Sequence, residues 1–391
     1  MDVARIVLTI QGLRALLYGF GAVLLGAVLA AEGLSAVVAG VIFTAMLIGM
    51  ALGSLAVGRW VGRFGARRMY AALFVVLGFA GTAFALSSWP PLLVAAALTG
   101  TLSTDANESG PITSLEQGML SGLSAQRRTR VFGRYNAVAY FGGALGALAA
   151  GGPSTLRHIV PALPTDQRWL LAFPFIALVC LFLTARLPGD VSGDRAGGHT
   201  QGLVRSRRNV RRLAGLFSVD AFGGGLVVQS FIVFWFQRRF GASVELMGLV
   251  FFSVGVLQAA SSLAAARVAR RIGLLNTMVF THLPSNVLLA AVPLMPSLPL
   301  AIATLLARSA LSQMDVPARQ AYIAALVDPP ERIAAAAYTN SARYVARPAG
   351  PVVAGALMQD VALSSPFVMA GAIKSVYDLV LFLRFRRVAV S

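Results

Sequence analysis

The chain has 391 residues, of which 57% are hydrophobic and only 12% charged, with a net charge of +18 and a mean hydropathy of +0.75. This is too apolar for a soluble domain and predicts a polytopic membrane protein. The alternation of a transmembrane β-barrel is absent, which leaves an all-α integral membrane fold.

A helix needs about 20 mostly apolar residues to cross hydrocarbon. Twelve stretches meet that length, at roughly 6–30, 36–57, 69–88, 91–121, 131–150, 169–187, 212–237, 244–266, 274–294, 298–326, 332–356 and 364–385, and these are spans 1 to 12. The first has no small-residue cleavage site before the second, so it reads as a span and not as a removed signal peptide. The single cysteine, Cys180, lies inside span 6 and can form no intrachain disulfide.

Arginines set the orientation, because short loops rich in Lys and Arg stay in the cytoplasm. The 2–3 loop holds Arg59, Arg63, Arg67 and Arg68, the 4–5 loop Arg127, Arg128 and Arg130, and the 8–9 loop Arg267, Arg270 and Arg271. The central loop adds Arg195, Arg205, Arg207, Arg208, Arg211 and Arg212. The opposite loops, such as SSWPP at 87–91 and PLMPSLP at 293–299, are nearly uncharged. Both termini are therefore expected in the cytoplasm of a multi-pass protein of the cell (inner or plasma) membrane, with the positive charge attracting anionic lipid. No segment is long enough to fold as a soluble basic domain, so no nucleic-acid partner is expected.

Charge inside the spans is concentrated in a few places. Span 1 carries Arg14, and span 4 carries Asp105, Asn107, Glu108 and Glu116 around a Gly110-Pro111 break. An ionisable group at that depth costs at least about 2.5–3.5 kcal/mol unless it faces a cavity or a partner. The Gly-Pro pair is expected to kink or unwind the helix beside such a cavity. Asp105 and Glu108 fit either proton or substrate handling or pairing with a helix-end arginine such as Arg127. Glu116 is expected at the cytoplasmic mouth as a gate ion pair with Arg130 or Arg134.

Span 7 carries Asp220, at a depth similar to Arg14, which fits a latch between halves or substrate contact. The run FIVFWF at 231–236 is expected to form an interfacial aromatic belt. Span 10 carries Arg308, Asp315, Pro317 and Arg319, with Asp315 and Arg319 four apart and able to pair. Span 11 places Arg343 and Arg347 on one face, and span 12 has Lys374 and Asp378 at a spacing that predicts a self-neutralising pair. Spans 3, 6 and 9 have no Asp, Glu, Lys or Arg in their interiors, and His158, His199 and His282 are too scattered for a metal site.

The polar interval GDVSGDRAGGHTQGLVRSRRNV at 189–210 reads as a flexible linker, giving expected bundles at 1–188 and 212–391 about a linker at 189–211. The halves resemble each other. Residues 32–65 laid without a gap over 240–273 match Gly33 with Gly241, Gly40 with Gly248, Arg59 with Arg267, Arg63 with Arg271 and Gly65 with Gly273. With slight slippage, Asn136 meets Asn340 and Gly146 meets Gly350.

Two related six-helix halves, a long central loop and the 2–3 loop GRWVGRFGARR at 58–68 resemble the major facilitator superfamily across essentially the whole chain. Gly58, Arg63, Gly65 and Arg67 match that family's loop signature, which implies a place in the cytoplasmic gate, while Gly62 stands where the family has Asp. The glycine-rich stretch at 142–152 resembles the family's span 5 motif with Ala147 in the proline position, although ordinary helix packing is the favoured reading. The resemblance also implies that spans 1, 4, 7 and 10 line a central cavity, with span 11 bordering it.

The expectation is a secondary active transporter working by alternating access and coupled to protons, exporting a small polar or amphiphilic compound. Its candidate cavity residues are Arg14, Asp105, Asn107, Glu108, Asp220, Arg308, Asp315, Arg343 and Arg347, and its candidate gate residues are Glu116, Gly58, Arg63, Gly65, Arg67 and Arg319. Uptake or exchange of an organic anion is the alternative within transport, and a non-transporting receptor or lipid scramblase the alternative outside it. No phosphate-binding glycine loop followed by Lys-Ser or Lys-Thr occurs, so an ion gradient and no cofactor is expected to supply the energy. No catalytic constellation is found, so an enzyme is not expected, and the chain is expected to work as a monomer.

Overall fold

Backbone N–H and C=O groups have no water to bond inside a bilayer, so a chain this apolar must cross as helices that satisfy themselves. The computed structural model describes residues 3–106, 110–121, 125–188, 206–328 and 331–388, and among these it contains helices and no strand. Eight helices are long and apolar enough to cross a membrane: Val3–Ala31, Ala36–Phe64, Ala66–Leu86, Asp166–Ala185, Arg207–Phe240, Val244–Ile272, Leu274–Leu294 and Ser365–Phe385. The other four spans are those that are broken or charged. Span 4 is Pro90–Ala97 and Pro111–Ser121, span 5 is Ala125–Ala149, span 10 is Leu298–Leu311 and Asp315–Leu326, and span 11 is Arg332–Ala346 and Ala349–Asp360. Together they make the twelve-helix all-α membrane fold.

Span 7 is also interrupted, into Arg207–Gly225 and Gln229–Phe240. The chain divides into two compact units, Met1–Ala196 with Val228–Phe252, and Gly197–Val227 with Ser253–Ser391. In the first unit, span 1 is the central element: 89% of its apolar window is buried, against 28% for Asp166–Ala185. In the second, Val210, Leu213, Phe217, Met278, Tyr322, Tyr377 and Leu381 form a shared core between spans 7, 9, 10 and 12.

The internal repeat is visible in the backbone. Ala36–Phe64 and Val244–Ile272 are both 29 residues long and coincide end to end in the ungapped register. Gly33 (φ 73°) and Gly241 (φ 64°) precede them, and Gly65 (φ 80°) and Gly273 (φ 86°) follow. Only glycine enters this region of φ without steric cost. The matched glycines are thus a matched pair of turns.

Span 4 opens more widely than the expected Gly110-Pro111 kink. Its first helix stops at Ala97 and the second starts at Pro111, and Asn107 and Glu108 lie outside the described residues. The cause is a backbone crossing. Gly100 (φ 67°) presses against Gly49 of span 2, where an added Cβ would come within 2.1 Å of the Gly49 carbonyl carbon. The aromatic run also departs from expectation. Phe231, Phe234, Trp235 and Phe236 are at most 1% exposed, and Phe231 packs edge-on against Phe43 at 5.0 Å. These rings fill the interior of the first unit and form no interfacial belt, because their helix packs along span 1.

Gly100→Val should abolish a monodisperse folded species on size exclusion, since it combines a forbidden φ with a backbone clash. Gly215→Ala, where an added Cβ meets nothing within 4 Å, should leave thermal stability unchanged or raised by about 0.5–1 kcal/mol. Equal behaviour of the two variants would contradict the crossing.

Candidate functional site

In the first unit the charges gather around Glu116. The rewound helix Pro111–Ser121 turns this carboxylate inward to 0% exposure, beside Arg14 at 3%. Arg14 Nη2 donates to Glu116 Oε2 at 2.7 Å and to the Gln11 side-chain carbonyl. Tyr70 donates to Oε1 at 2.7 Å, and Tyr135 donates to Oε2. Spans 1, 3, 4 and 5 therefore meet at one carboxylate with three charge-assisted donors. The expected partners of Glu116 were Arg130 and Arg134. Arg134 is instead exposed, and the side chains of Arg127, Arg128 and Arg130 lie outside the described residues. Glu116 is a buried ion-pair centre whose partner is Arg14 of span 1 and not Arg134.

Asp105 sits in the unwound part of span 4 and serves a helix end. Its Oδ1 accepts from the Gln229 backbone N–H at 2.8 Å, the first residue of the helix Gln229–Phe240. Gln229 Oε1 in return accepts from Ala106 N–H at 3.2 Å, and the Ser230 hydroxyl donates to the Thr104 and Ala22 carbonyls. A helix N-terminus leaves its first N–H groups unpaired and favours negative charge. Asp105 supplies both from another span.

In the second unit the centre is Asp220, 3% exposed. Lys374 Nζ lies 2.5 Å from Oδ1, Arg343 Nη1 lies 2.8 Å from Oδ2, and Arg319 Nη1 lies 3.6 Å from Oδ2. Arg319 also pairs with Asp315 at 3.2 Å, as the spacing predicted, and its guanidinium lies over the Phe217 ring. The self-neutralising pair expected in span 12 does not form. Lys374 turns to span 7, while Asp378 accepts from Asn286 Nδ2 at 2.8 Å and lies 3.0 Å from His282 Nδ1. Span 12 packs against both spans 7 and 9, so its two charges have nearer partners on either side than each other.

A cavity of ≈ 100 Å³ opens beside this cluster, lined by Phe217, Arg319, Gln320, Thr339, Asn340 and Arg343. Arg308 and Arg347 are half-buried in the same unit. Arg319, expected at a gate, is instead 8% exposed within the Asp220 cluster. Of the other gate candidates, Gly58 and Arg63 are exposed, Gly65 forms the turn between spans 2 and 3, and Arg67 donates to the Ala185 carbonyl at 2.8 Å. Among the described residues no group of three or more His, Cys, Asp or Glu could hold a metal.

Sequence reasoning missed Tyr70, Tyr135, His282 and Asn286 as members of these clusters. One signal was present for the second cluster. Lys374 is the only lysine among the 33 lysine and arginine residues.

A family model described as the Major Facilitator Superfamily matches residues 7–311 and again 213–391. The chain is similar to an uncharacterized membrane protein of Saccharomyces cerevisiae, at 24% identity over 95% of this chain and 92% of that protein. Among solved structures it is similar to the nucleoside transporter NupG, with 13% identity, a TM-score of 0.78, and coverage of 99% of this chain and 100% of that one. It is also similar to a D-xylose–proton symporter, with 15% identity, a TM-score of 0.71, and coverage of 97% and 98%. At these identities the solved structures speak to the fold.

Removing one member of a buried ion pair leaves the other charge uncompensated, at a cost of about 3–5 kcal/mol. Arg14→Met should therefore lower thermal stability sharply, and Arg14→Met with Glu116→Gln should recover at least half of the loss. Unfolding scans in detergent test this, and a double variant no better than the single one would contradict the pairing.

Proposed function

The chain belongs to the major facilitator superfamily and is a membrane transporter of that type, and from this premise we propose a secondary active carrier that works by alternating access, couples to protons and exports a small polar or amphiphilic compound. The observation that carries the reading is the cluster of buried ionisable side chains on spans 7, 10, 11 and 12, centred on Asp220. Charges buried this deeply in a membrane protein mark ion and substrate pathways, because their desolvation is costly unless it serves a purpose. Interrupted helices in corresponding positions of two repeats, here spans 4 and 10, support the same reading. In this reading Asp220 and Asp315 belong to the coupling machinery and the adjoining cavity receives substrate. The arginine asymmetry of the loops supports a cell (inner or plasma) membrane location with both termini cytoplasmic.

A second reading is uptake or exchange of an organic anion. It is favoured by one observation, the presence of both Arg319 and Arg343 on the cavity wall beside the Phe217 ring.

Proteoliposomes containing a pH-sensitive dye test both. A panel of uridine, D-xylose and p-aminohippurate should contain a compound that moves protons when added, and whose accumulation follows an imposed pH gradient. Asp220→Asn and Asp315→Asn should reduce that gradient-driven flux at least tenfold while the protein remains monodisperse. Flux indifferent to the gradient, or unchanged in both variants, would remove proton coupling from the reading. A response confined to p-aminohippurate would favour the anion carrier.

A further inference from the structure

We propose that His282 is a proton-binding site that competes with Lys374 for one oxygen of Asp220, so that protonation of the histidine releases the only lysine of the chain. Four observations lead there. First, Lys374 is the one lysine among 33 basic residues, and it is buried at 7% exposure. Second, the two oxygens of Asp220 are held differently: Arg343 and Arg319 take Oδ2, while Lys374 takes Oδ1 at 2.5 Å. Third, His282 Nε2 stands 3.9 Å from that same Oδ1. Fourth, the opposite ring nitrogen, Nδ1, lies 3.0 and 3.1 Å from the two oxygens of Asp378.

A neutral imidazole carries one N–H. Asn286 Nδ2 lies 3.1 Å from Nδ1 but donates to Asp378 Oδ2 at 2.8 Å, so with Nδ1–H donating to Asp378 the Nε2 lone pair faces Asp220 Oδ1 at 3.9 Å. A proton taken up from solution at Nε2 turns that nitrogen into a charged donor aimed at Oδ1. Two cations then contend for one oxygen, and the ammonium is the one with somewhere to go. Lys374 Nζ already lies 3.4 Å from the Asp220 backbone carbonyl, and its stem lies along Gly223, where an added Cβ would come within 2.8 Å of Lys374 Cγ. An ammonium is a compact charge on a flexible stem, whereas a guanidinium clamps a carboxylate with a planar fork. That difference gives a reason for lysine here alone.

Other charged or titratable groups on the elements packed against span 9 or reaching Asp220 are Arg319, Asp315 and Tyr322 on the helix Asp315–Leu326, Tyr377 of span 12 beside the His282 ring, Arg343 reaching Asp220 from span 11, and Arg308 on the helix Leu298–Leu311. Arg319 and Arg343 keep Oδ2 of Asp220 occupied in either state. Only Oδ1 changes partner. No bond other than hydrogen bonds is made or broken, and one proton is bound. The assignment of that proton to transport rests on the proton-coupled reading, but the site itself can be tested without substrate.

The test uses full-length protein in lipid nanodiscs with histidine rings and lysine Nζ labelled with ¹⁵N, and with His158→Gln and His199→Gln leaving His282 as the sole histidine. Lysine gives a single side-chain resonance. Between pH 5 and 9 the His282 ring should titrate in one step, and the Lys374 Nζ resonance should move with the same midpoint. In His282→Gln the lysine resonance should stay constant from pH 5 to 8. A ring that holds one state throughout, a lysine signal that never moves, or one that moves as much in His282→Gln would overturn the proposal. If His282→Gln does not fold, Asp378→Asn decides. It should displace both midpoints together, and midpoints that separate would overturn the exchange. Shared midpoints in a protein with no gradient-driven flux would sustain this site and refute the coupling reading alone.

Discussion

A carboxylate in hydrocarbon has to be answered from within the protein, and this requirement organises the interior of each unit. Glu116 is 0% exposed, and spans 1, 3 and 5 each send it a donor. Asp220 draws cations from spans 10, 11 and 12. Bringing these groups together fixes which helix faces turn inward. The apolar faces left over, such as Phe79, Phe175 and Leu263, are exposed and suit a lipid surround. Packing between helices gains little from apolar burial when the solvent is itself apolar. Polar matching and close backbone contact therefore carry much of the specificity.

The two halves meet this requirement with opposite signs. In the first, a cation on span 1, Arg14, faces an anion on span 4, and span 5 contributes the neutral hydroxyl of Tyr135. In the second, an anion on span 7, Asp220, faces cations on spans 10 and 11, the corresponding elements of the repeat. The backbone repeat is thus conserved in its turns, with Gly33 and Gly65 answered by Gly241 and Gly273, while the chemistry inside it has diverged. The first half closes on a locally neutral centre. The second gathers Asp220, Asp315, Asp378, Arg319, Arg343, Lys374 and a histidine in connected contacts.

Much of this was legible in the sequence, and the limits follow from physics. Span number, the repeat and the location of buried charge depend on hydropathy and residue type along one dimension, and they read directly. Ion-pair partners depend on side-chain direction in three. Lys374 and Asp378 have ideal spacing to neutralise each other, yet each finds a nearer partner on a different neighbouring helix. Glu116 was matched to arginines close in sequence, whereas its partner is 102 residues away. The aromatic run at 231–236 looked like an interfacial belt because composition cannot tell which wall of a helix meets lipid. His282 reads only as one of three scattered histidines, because a lone histidine in an otherwise uncharged span carries no pattern of its own.

The breaks in spans 4 and 7 add a further constraint on how charge and backbone are related. An interrupted helix frees N–H and C=O groups that cannot remain unpaired in a membrane. Here the freed groups and the buried acid satisfy each other: the carboxylate of Asp105, in the unwound part of span 4, takes the first N–H of the helix that resumes span 7, and the Thr104 carbonyl takes Ser230. Asp105 is therefore accounted for by a backbone need, whereas Asp220 stands against side chains alone apart from its own helix. An acid that completes a helix end has its place set by the backbone it serves. Asp220 is held instead by Lys374, Arg343 and Arg319 from spans 12, 11 and 10, so its partners are side chains on flexible stems and not a fixed helix end.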